Sequence, residues 1–65
     1  MASSVIAAIS YNKRSNVLRV IFLSGAVYEY KHVPEDVYLS MKAAESKGNF
    51  LNKQIKGNYA FSKVN

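Results

Sequence analysis

Gly25 lies between two apolar runs whose alternation is typical of paired β-strands, and this arrangement constrains the fold more than any other feature. The first run, VLRVIFL, covers residues 17–23, and the second, AVYEYKHV, covers residues 26–33. A connection of two or three residues joins them, which is a length expected of a β-hairpin. The centre of the chain is therefore predicted to be an antiparallel hairpin.

The length of the turn decides which side chains share a face of this hairpin. A two-residue loop would pair Val20 with Glu29 and would put Tyr28 and Tyr30 on the face opposite Val20. A three-residue loop pairs Val20 with Tyr28 and ends in Gly25, where a type I turn with a G1 bulge needs a left-handed residue. We expect the three-residue loop, because it collects the apolar residues of both strands on one face.

The opposite face of the same hairpin is also more apolar than a solvated sheet face should be. It carries Arg19, Glu29 and Lys31 together with four aliphatic residues, namely Val17, Ile21, Leu23 and Val27. We expect either a C-terminal segment or a second subunit to cover it.

Strand-like runs occur on both sides of the hairpin. Residues 5–11 form an apolar run that ends at the polar stretch NKRSN, so three consecutive strands are predicted to form an antiparallel β-meander. The tail YAFSKV, residues 59–64, alternates weakly and allows a C-terminal edge strand.

Two short helices are predicted after the meander, which makes the fold class α+β. Pro34 suits the first turn of a helix, where its missing N–H has no cost. An apolar stripe with helical spacing follows, formed by Val37, Tyr38, Met41 and Ala44. Gly48 is expected near the end of that helix. A second helix over residues 49–56, stopped by Gly57, would direct three apolar side chains inward: Phe50, Leu51 and Ile55.

Length and composition indicate one small domain, residues 1–65. The chain has no cysteine, so neither a disulfide nor a thiolate metal site supplements its core. The apolar run at residues 5–9 follows no positive charge and is too short for a signal peptide, and no run approaches the roughly 20 apolar residues of a membrane span. We expect a cytoplasmic protein with no membrane partner.

The residues required for catalysis or metal binding do not occur in a recognisable pattern. His32 is the only histidine, and no serine or acidic residue has the spacing of a catalytic group relative to it. The four acidic residues lack metal-ligand spacing, and the three glycines are isolated, which excludes a phosphate-binding glycine motif. We expect no enzyme activity, no metal and no cofactor.

The positive charge is concentrated in the last third of the chain. The net charge is +5, and residues 42–65 contribute five lysines against Glu45 alone. Cations that bind phosphates and aromatic faces that stack on bases are the physical requirements of nucleic-acid binding. The predicted nucleic-acid-binding residues are Lys42, Lys47, Lys53, Lys56, Lys63, Tyr30 and Tyr59. The same lysines are equally compatible with a solvated face that keeps a small protein soluble.

The aromatic residues have a structural interpretation as well. A domain of 65 residues without disulfides needs its large side chains in the core. We expect Tyr28 and Tyr30 to be mostly core, with hydroxyls that reach its rim. For Tyr59 and Phe61 the core and surface interpretations both stay open.

The order of these motifs resembles that of the KTSC domain, from about residue 4 to residue 62. The shared pattern is an alternating apolar strand, a glycine turn, Y-x-Y, V-P, a helix, S-x-G and then an aromatic-Asn pair, in which this chain has Leu51 in place of the aromatic residue. In this chain the pattern is carried by Leu18, Val20, Phe22, Gly25, Tyr28-Glu29-Tyr30, Val33-Pro34, Ser46-Lys47-Gly48 and Phe50-Leu51-Asn52.

The resemblance implies a small module that is named for the C-terminus of some lysyl-tRNA synthetases and also occurs as short bacterial and phage proteins. It implies RNA binding only through that fusion context. We therefore expect a non-enzymatic module that binds RNA or another nucleic acid through its basic C-terminal half. The alternative is a module for protein–protein interaction or self-assembly, suggested by the apolar second face of the sheet.

Overall fold

A computed structural model describes residues 6–65 as one four-stranded antiparallel sheet with helices on one side. The strands lie in the order β1 to β4, which are Ile6–Asn12, Val17–Phe22, Val27–Tyr30 and Phe61–Lys63. The predicted meander is confirmed as β1 to β3, and the C-terminal edge strand is present as β4. The predicted start of β1 at residue 5 lies outside the described residues.

The turn between β2 and β3 has the predicted three-residue register. Leu18 lies opposite Tyr30 and Val20 lies opposite Tyr28. The Phe22 N–H donates to the Ala26 carbonyl at 2.9 Å, which closes the turn. Gly25 adopts a φ of 95°, while a Cβ added to it would meet nothing within 4 Å. Glycine is needed here because of its backbone conformation and not because of space.

The helical part contains α1, Glu35–Ala43, and α2, Lys47–Phe50, which continues as a π-helical segment, Leu51–Ile55. Pro34 is extended and directly precedes α1, and its carbonyl accepts from the Val37 N–H at 3.1 Å. The expected helix end at Gly48 is wrong, because Gly48 lies inside α2. The Ser46 hydroxyl accepts from the Asn49 N–H at 3.2 Å, so this side chain caps a new helix there.

The core lies between the sheet and the helices. Its buried residues come from β1, β2, β3, the connection after β3, α1 and the π-helical segment: Ile6, Leu18, Val20, Tyr30, Val33, Met41, Leu51 and Ile55. The predicted inward positions are confirmed except for Ala44, which follows the last residue of α1 and is not part of the cluster. Val37, Tyr38 and Phe50 pack against the buried residues. Tyr30 is 3% exposed, as expected of a core residue, whereas Tyr28 is half-buried at the margin.

The other side of the sheet, called the open face below, holds Val17, Arg19, Ile21, Val27 and Glu29. One predicted alternative, that the C-terminal segment covers this face, is wrong. Instead, β4 pairs with the edge of β3 and extends the sheet. Within residues 6–65 no helix lies on this face, and Val17, Ile21 and Val27 stay half-buried. Cover by a second subunit stays a prediction.

An aromatic groove beside the lysine-rich segment

A groove of about 460 Å³ lies on the helix side of the sheet, where the C-terminal part of the chain returns to β3. Four aromatic residues line it together with Lys56 and Gly57: they are Phe22, Tyr28, Tyr30 and Phe61. We call this feature the aromatic groove. The register of β4 explains how it forms, since Phe61 lies opposite Tyr30 and therefore shares its face of the sheet.

The four rings form a continuous series of contacts. Phe22 meets Tyr28 edge-on with ring centroids 5.4 Å apart, and the ring of Phe61 lies 5.6 Å from Tyr28 and 5.5 Å from Tyr30. These separations are typical of favourable aromatic pairs. Phe61 nevertheless remains 56% exposed. The groove therefore presents one accessible ring on a base of aromatic side chains that are fixed by packing.

The end of the π-helical segment places Lys56 at the groove. The Lys56 N–H donates to the Leu51 carbonyl at 2.8 Å, five residues back, which is the π-helical hydrogen bond. Gly57 then takes a φ of 84°, a left-handed conformation that ends the helix. The chain turns back toward β3, where Lys31 N–H donates to the Ala60 carbonyl at 2.8 Å. Lys56 and Phe61 thus reach the same groove from the two ends of one short connection.

The aromatic groove carries a positive charge and no negative one. Lys56 is the one charged residue that lines it. Burial raises the pKa of the Tyr30 phenol, and the neighbouring Tyr28 raises it further. Tyr30 therefore stays protonated at neutral pH and keeps its O–H as a donor.

The model of the KTSC domain family matches residues 2–59. The chain belongs to the KTSC family. A crystal structure of a KTSC domain protein from Yersinia pestis has the same fold, with a TM-score of 0.91 and 32% sequence identity. That comparison covers 100% of this chain and 92% of the other. The resemblance seen in the motif order is thereby confirmed.

The relatives of this KTSC domain are of two kinds. A lysine–tRNA ligase from Nostoc punctiforme is 43% identical over 61 residues, which are 94% of this chain and 11% of the ligase. The chain therefore spans about a tenth of that relative. A protein from Tsukamurella paurometabola is 41% identical over 54 residues, which cover 83% of this chain and 81% of that protein.

The structure distributes the predicted nucleic-acid-binding residues of the KTSC domain over several elements. Lys56 and Tyr30 both line the aromatic groove. Lys63 lies on β4 opposite Tyr28, on the same side of the sheet as the groove. Lys53 is exposed on the π-helical segment. Neither Lys53 nor Lys63 lines the groove, and the remaining three predicted residues do not line it either. Lys42 is exposed at the end of α1, Lys47 is half-buried at the start of α2, and Tyr59 is half-buried against the core.

Three aromatic residues of the groove are absent from the predicted set: Phe22, Tyr28 and Phe61. The weak alternation of the tail indicates that Phe61 lies on a strand. It does not indicate which strand Phe61 pairs with, and the groove depends on that pairing. Phe22 and Tyr28 lie on the predicted apolar face, so sequence patterning assigns them to the core.

The described part of the chain contains no cluster of side chains suited to holding a metal ion. Among residues 6–65 there is no cluster of three or more His, Cys, Asp or Glu side chains. His32 is exposed and has a φ of 58°, and it connects β3 to the helical part. None of the helices in this part is both long and apolar enough to cross a membrane.

Proposed function

We propose that this KTSC domain is a non-enzymatic RNA-binding module and that the aromatic groove is its binding site. The observation that supports this most directly is the combination of an exposed aromatic ring, Phe61, with a cation, Lys56, in one groove. Single-stranded nucleic acids bind to such combinations, because rings stack on bases while cations contact the backbone phosphates.

In the proposed mechanism one unpaired base stacks on Phe61, and Lys56 contacts an adjacent phosphate. Lys53 and Lys63 add charge nearby, since one precedes Lys56 by three residues and the other lies on β4. Stacking on Phe61 and charge contacts to phosphates do not distinguish one base from another. The module is therefore expected to prefer single strands and to show low sequence specificity.

The relatives support RNA as the class of ligand. One of them is a lysine–tRNA ligase, an enzyme whose name states that it acts on a tRNA. A domain joined to such an enzyme is in a position to add contacts to RNA. This chain matches 11% of that ligase, so the ligase activity of the whole protein is not carried over to it.

The proposal is tested by fluorescence anisotropy with a labelled single-stranded RNA at two salt concentrations. Affinity should fall steeply as salt rises, because each phosphate contact releases counterions. Lys56→Glu should weaken binding and reduce the salt dependence. Lys31→Glu makes the same charge change at an exposed position outside the groove and should have little effect.

Stacking is tested separately at Phe61. Phe61→Leu removes the ring but keeps an apolar side chain, and it should cost about 1–3 kcal/mol of binding free energy. Phe61→Tyr keeps a stacking ring and should bind like the unaltered protein. If no RNA binds at low salt, or if Lys56→Glu and Lys31→Glu behave alike, the aromatic groove is not an RNA site.

A second candidate function is self-assembly through the open face. The observation in its favour is that Val17, Ile21 and Val27 lie half-buried on this face, while two further large apolar residues next to the strand ends, Leu23 and Val64, are exposed. Light scattering over a range of concentrations decides it, since self-assembly requires the mass to increase with concentration. A monomer at high concentration would contradict this candidate.

A further inference from the structure

A second hollow lies on the open face of the sheet, opposite the aromatic groove. It has a volume of about 720 Å³ and is formed where the β1–β2 loop meets the strands. Three cations line it, Lys13, Arg14 and Arg19, against one carboxylate, that of Glu29. We call it the cationic hollow. The cationic hollow and the aromatic groove have no lining residue in common, so a ligand of the groove does not explain the hollow.

The loop that carries two of these cations is held in place at both ends. At its start the Asn12 side-chain oxygen accepts from the Arg14 N–H at 2.9 Å and from the Ser15 N–H at 3.3 Å. At its end the Asn16 carbonyl accepts from the Val33 N–H at 2.8 Å. The loop is therefore tied to the connection between the sheet and α1, and its cations project from an ordered backbone.

The hydroxyl of Tyr11 adds two hydrogen bonds between the β1–β2 loop and the connection to α1. It donates to the Val33 carbonyl and accepts from the Asn16 side-chain amide, whose nitrogen lies 3.0 Å away. The Tyr11 ring stacks on Tyr38 of α1 with centroids 5.0 Å apart. These contacts fix one wall of the cationic hollow to the core of the domain.

The third cation is oriented by a carboxylate. Both Nε and Nη2 of Arg19 donate to Oε2 of Glu29 across the β2–β3 pair, with the Nε contact at 3.0 Å. A guanidinium held in this way retains further N–H groups for a ligand. Because its orientation is already fixed, less conformational entropy is lost when it binds an anion.

From this arrangement we infer that the cationic hollow binds a phosphate group. Arginine matches the geometry of phosphate through paired N–H donors. Lys13 lies 3.7 Å from the Glu35 carboxylate, and Arg19 is paired with Glu29. Three cations therefore face two carboxylates, and Arg14 leaves the hollow with a net positive charge. The phosphate has two possible sources, free phosphate or the phosphodiester backbone of a nucleic acid. The inference does not depend on the proposed RNA site, which lies on the other side of the sheet.

The inference is tested by NMR titration of the whole chain with inorganic phosphate, against sodium chloride at the same ionic strength. Saturable shifts are expected for the backbone amides of residues 13–15 and of Arg19. Arg14→Gln should weaken phosphate binding roughly tenfold, the loss expected for one charge-assisted hydrogen bond. Lys31→Gln removes a cation that does not line the hollow and should leave the affinity unchanged.

A second arm distinguishes the source of the phosphate. A dinucleoside monophosphate, which carries only an internal phosphodiester, is titrated into the Phe61→Leu variant, so that stacking in the aromatic groove does not contribute. Shifts at residues 13–15 identify the nucleic-acid backbone as a source, whereas shifts with inorganic phosphate alone identify free phosphate. Shifts that follow ionic strength without saturating, or an unchanged affinity in Arg14→Gln, would overturn the inference whatever happens at the groove.

Discussion

Tyr30 combines two roles that sequence patterning alone treats as alternatives. Its ring is buried in the core, yet it also supports Phe61 at a ring separation of 5.5 Å and forms part of the aromatic groove. A residue at the margin of a small core is able to do both, because a domain of this size has few residues that are far from its surface. Core packing therefore gives the groove its rigidity.

The raised pKa of Tyr30 leads to a prediction about stability at high pH. The unfolded state loses the phenol proton near pH 10 and the folded state only at a higher pH, so ionisation favours unfolding. The contribution of Tyr30 to the free energy of unfolding is fully present below about pH 10 and is lost as the pH rises through the folded-state pKa. Tyr30→Phe removes the ionisable group and keeps the ring.

Urea denaturation at several pH values between about pH 8 and pH 11 checks this prediction. The midpoint of the unaltered protein should decrease more steeply at the alkaline end than that of Tyr30→Phe. Parallel curves for the two proteins would show that Tyr30 does not contribute to the alkaline loss of stability.

Among the elements, the β2–β3 turn depends most on a single residue. Gly25 adopts a φ of 95°, so a side chain there is strained even though the space around it is open. Gly25→Ala should destabilise the domain by about 1–2 kcal/mol, the cost of placing an L-residue in a left-handed conformation. Gly25→Asn should recover part of this, because asparagine tolerates that conformation better.

Thermal unfolding followed by circular dichroism provides the measurement. Ser24→Ala is the matched control, since Ser24 is the exposed neighbour in the same turn and has no positive φ. Its effect should stay within about 0.5 kcal/mol. Equal losses from Ser24→Ala and Gly25→Ala would mean that the turn does not depend on the backbone of Gly25.

Local patterns predicted the elements better than their ends. The period of two identified β2 and β3, and the turn glycine selected their register, because each signal is carried by residues close in sequence. The π-helical hydrogen bond from Lys56 to Leu51 was not predictable, since it changes the backbone pairing without changing the apolar spacing. Gly48 was misassigned because the Ser46 cap starts a new helix just before it.

At the scale of the whole molecule, the candidate site could be predicted only in part. Lys56 and Tyr30 were identified from charge and aromatic character, but the aromatic groove exists because β4 returns to pair with β3. That pairing joins residues that are 31 to 35 positions apart in sequence, and no local pattern specifies its register. The exposed ring of Phe61 therefore becomes visible as a site only in the folded chain.

The stability of the whole domain should rest on its few buried side chains. A 65-residue domain has a free energy of unfolding of roughly 3–10 kcal/mol, and a buried Leu→Ala change typically costs about 2–5 kcal/mol. Leu51 is 2% exposed and belongs to the core cluster, so Leu51→Ala should remove a large share of the stability.

Leu39→Ala is the control, because it makes the same chemical change at a position on α1 that is 50% exposed. Leu39→Ala removes little buried apolar surface, and alanine has the higher helix propensity. The free energy of unfolding should therefore change by no more than about 0.5 kcal/mol. Chemical denaturation of both variants measures the difference directly. Similar losses would contradict the assignment of Leu51 to the core. A selective loss in Leu51→Ala would show that the π-helical segment, which positions Lys56 at the groove, is held by the same core that stabilises the domain.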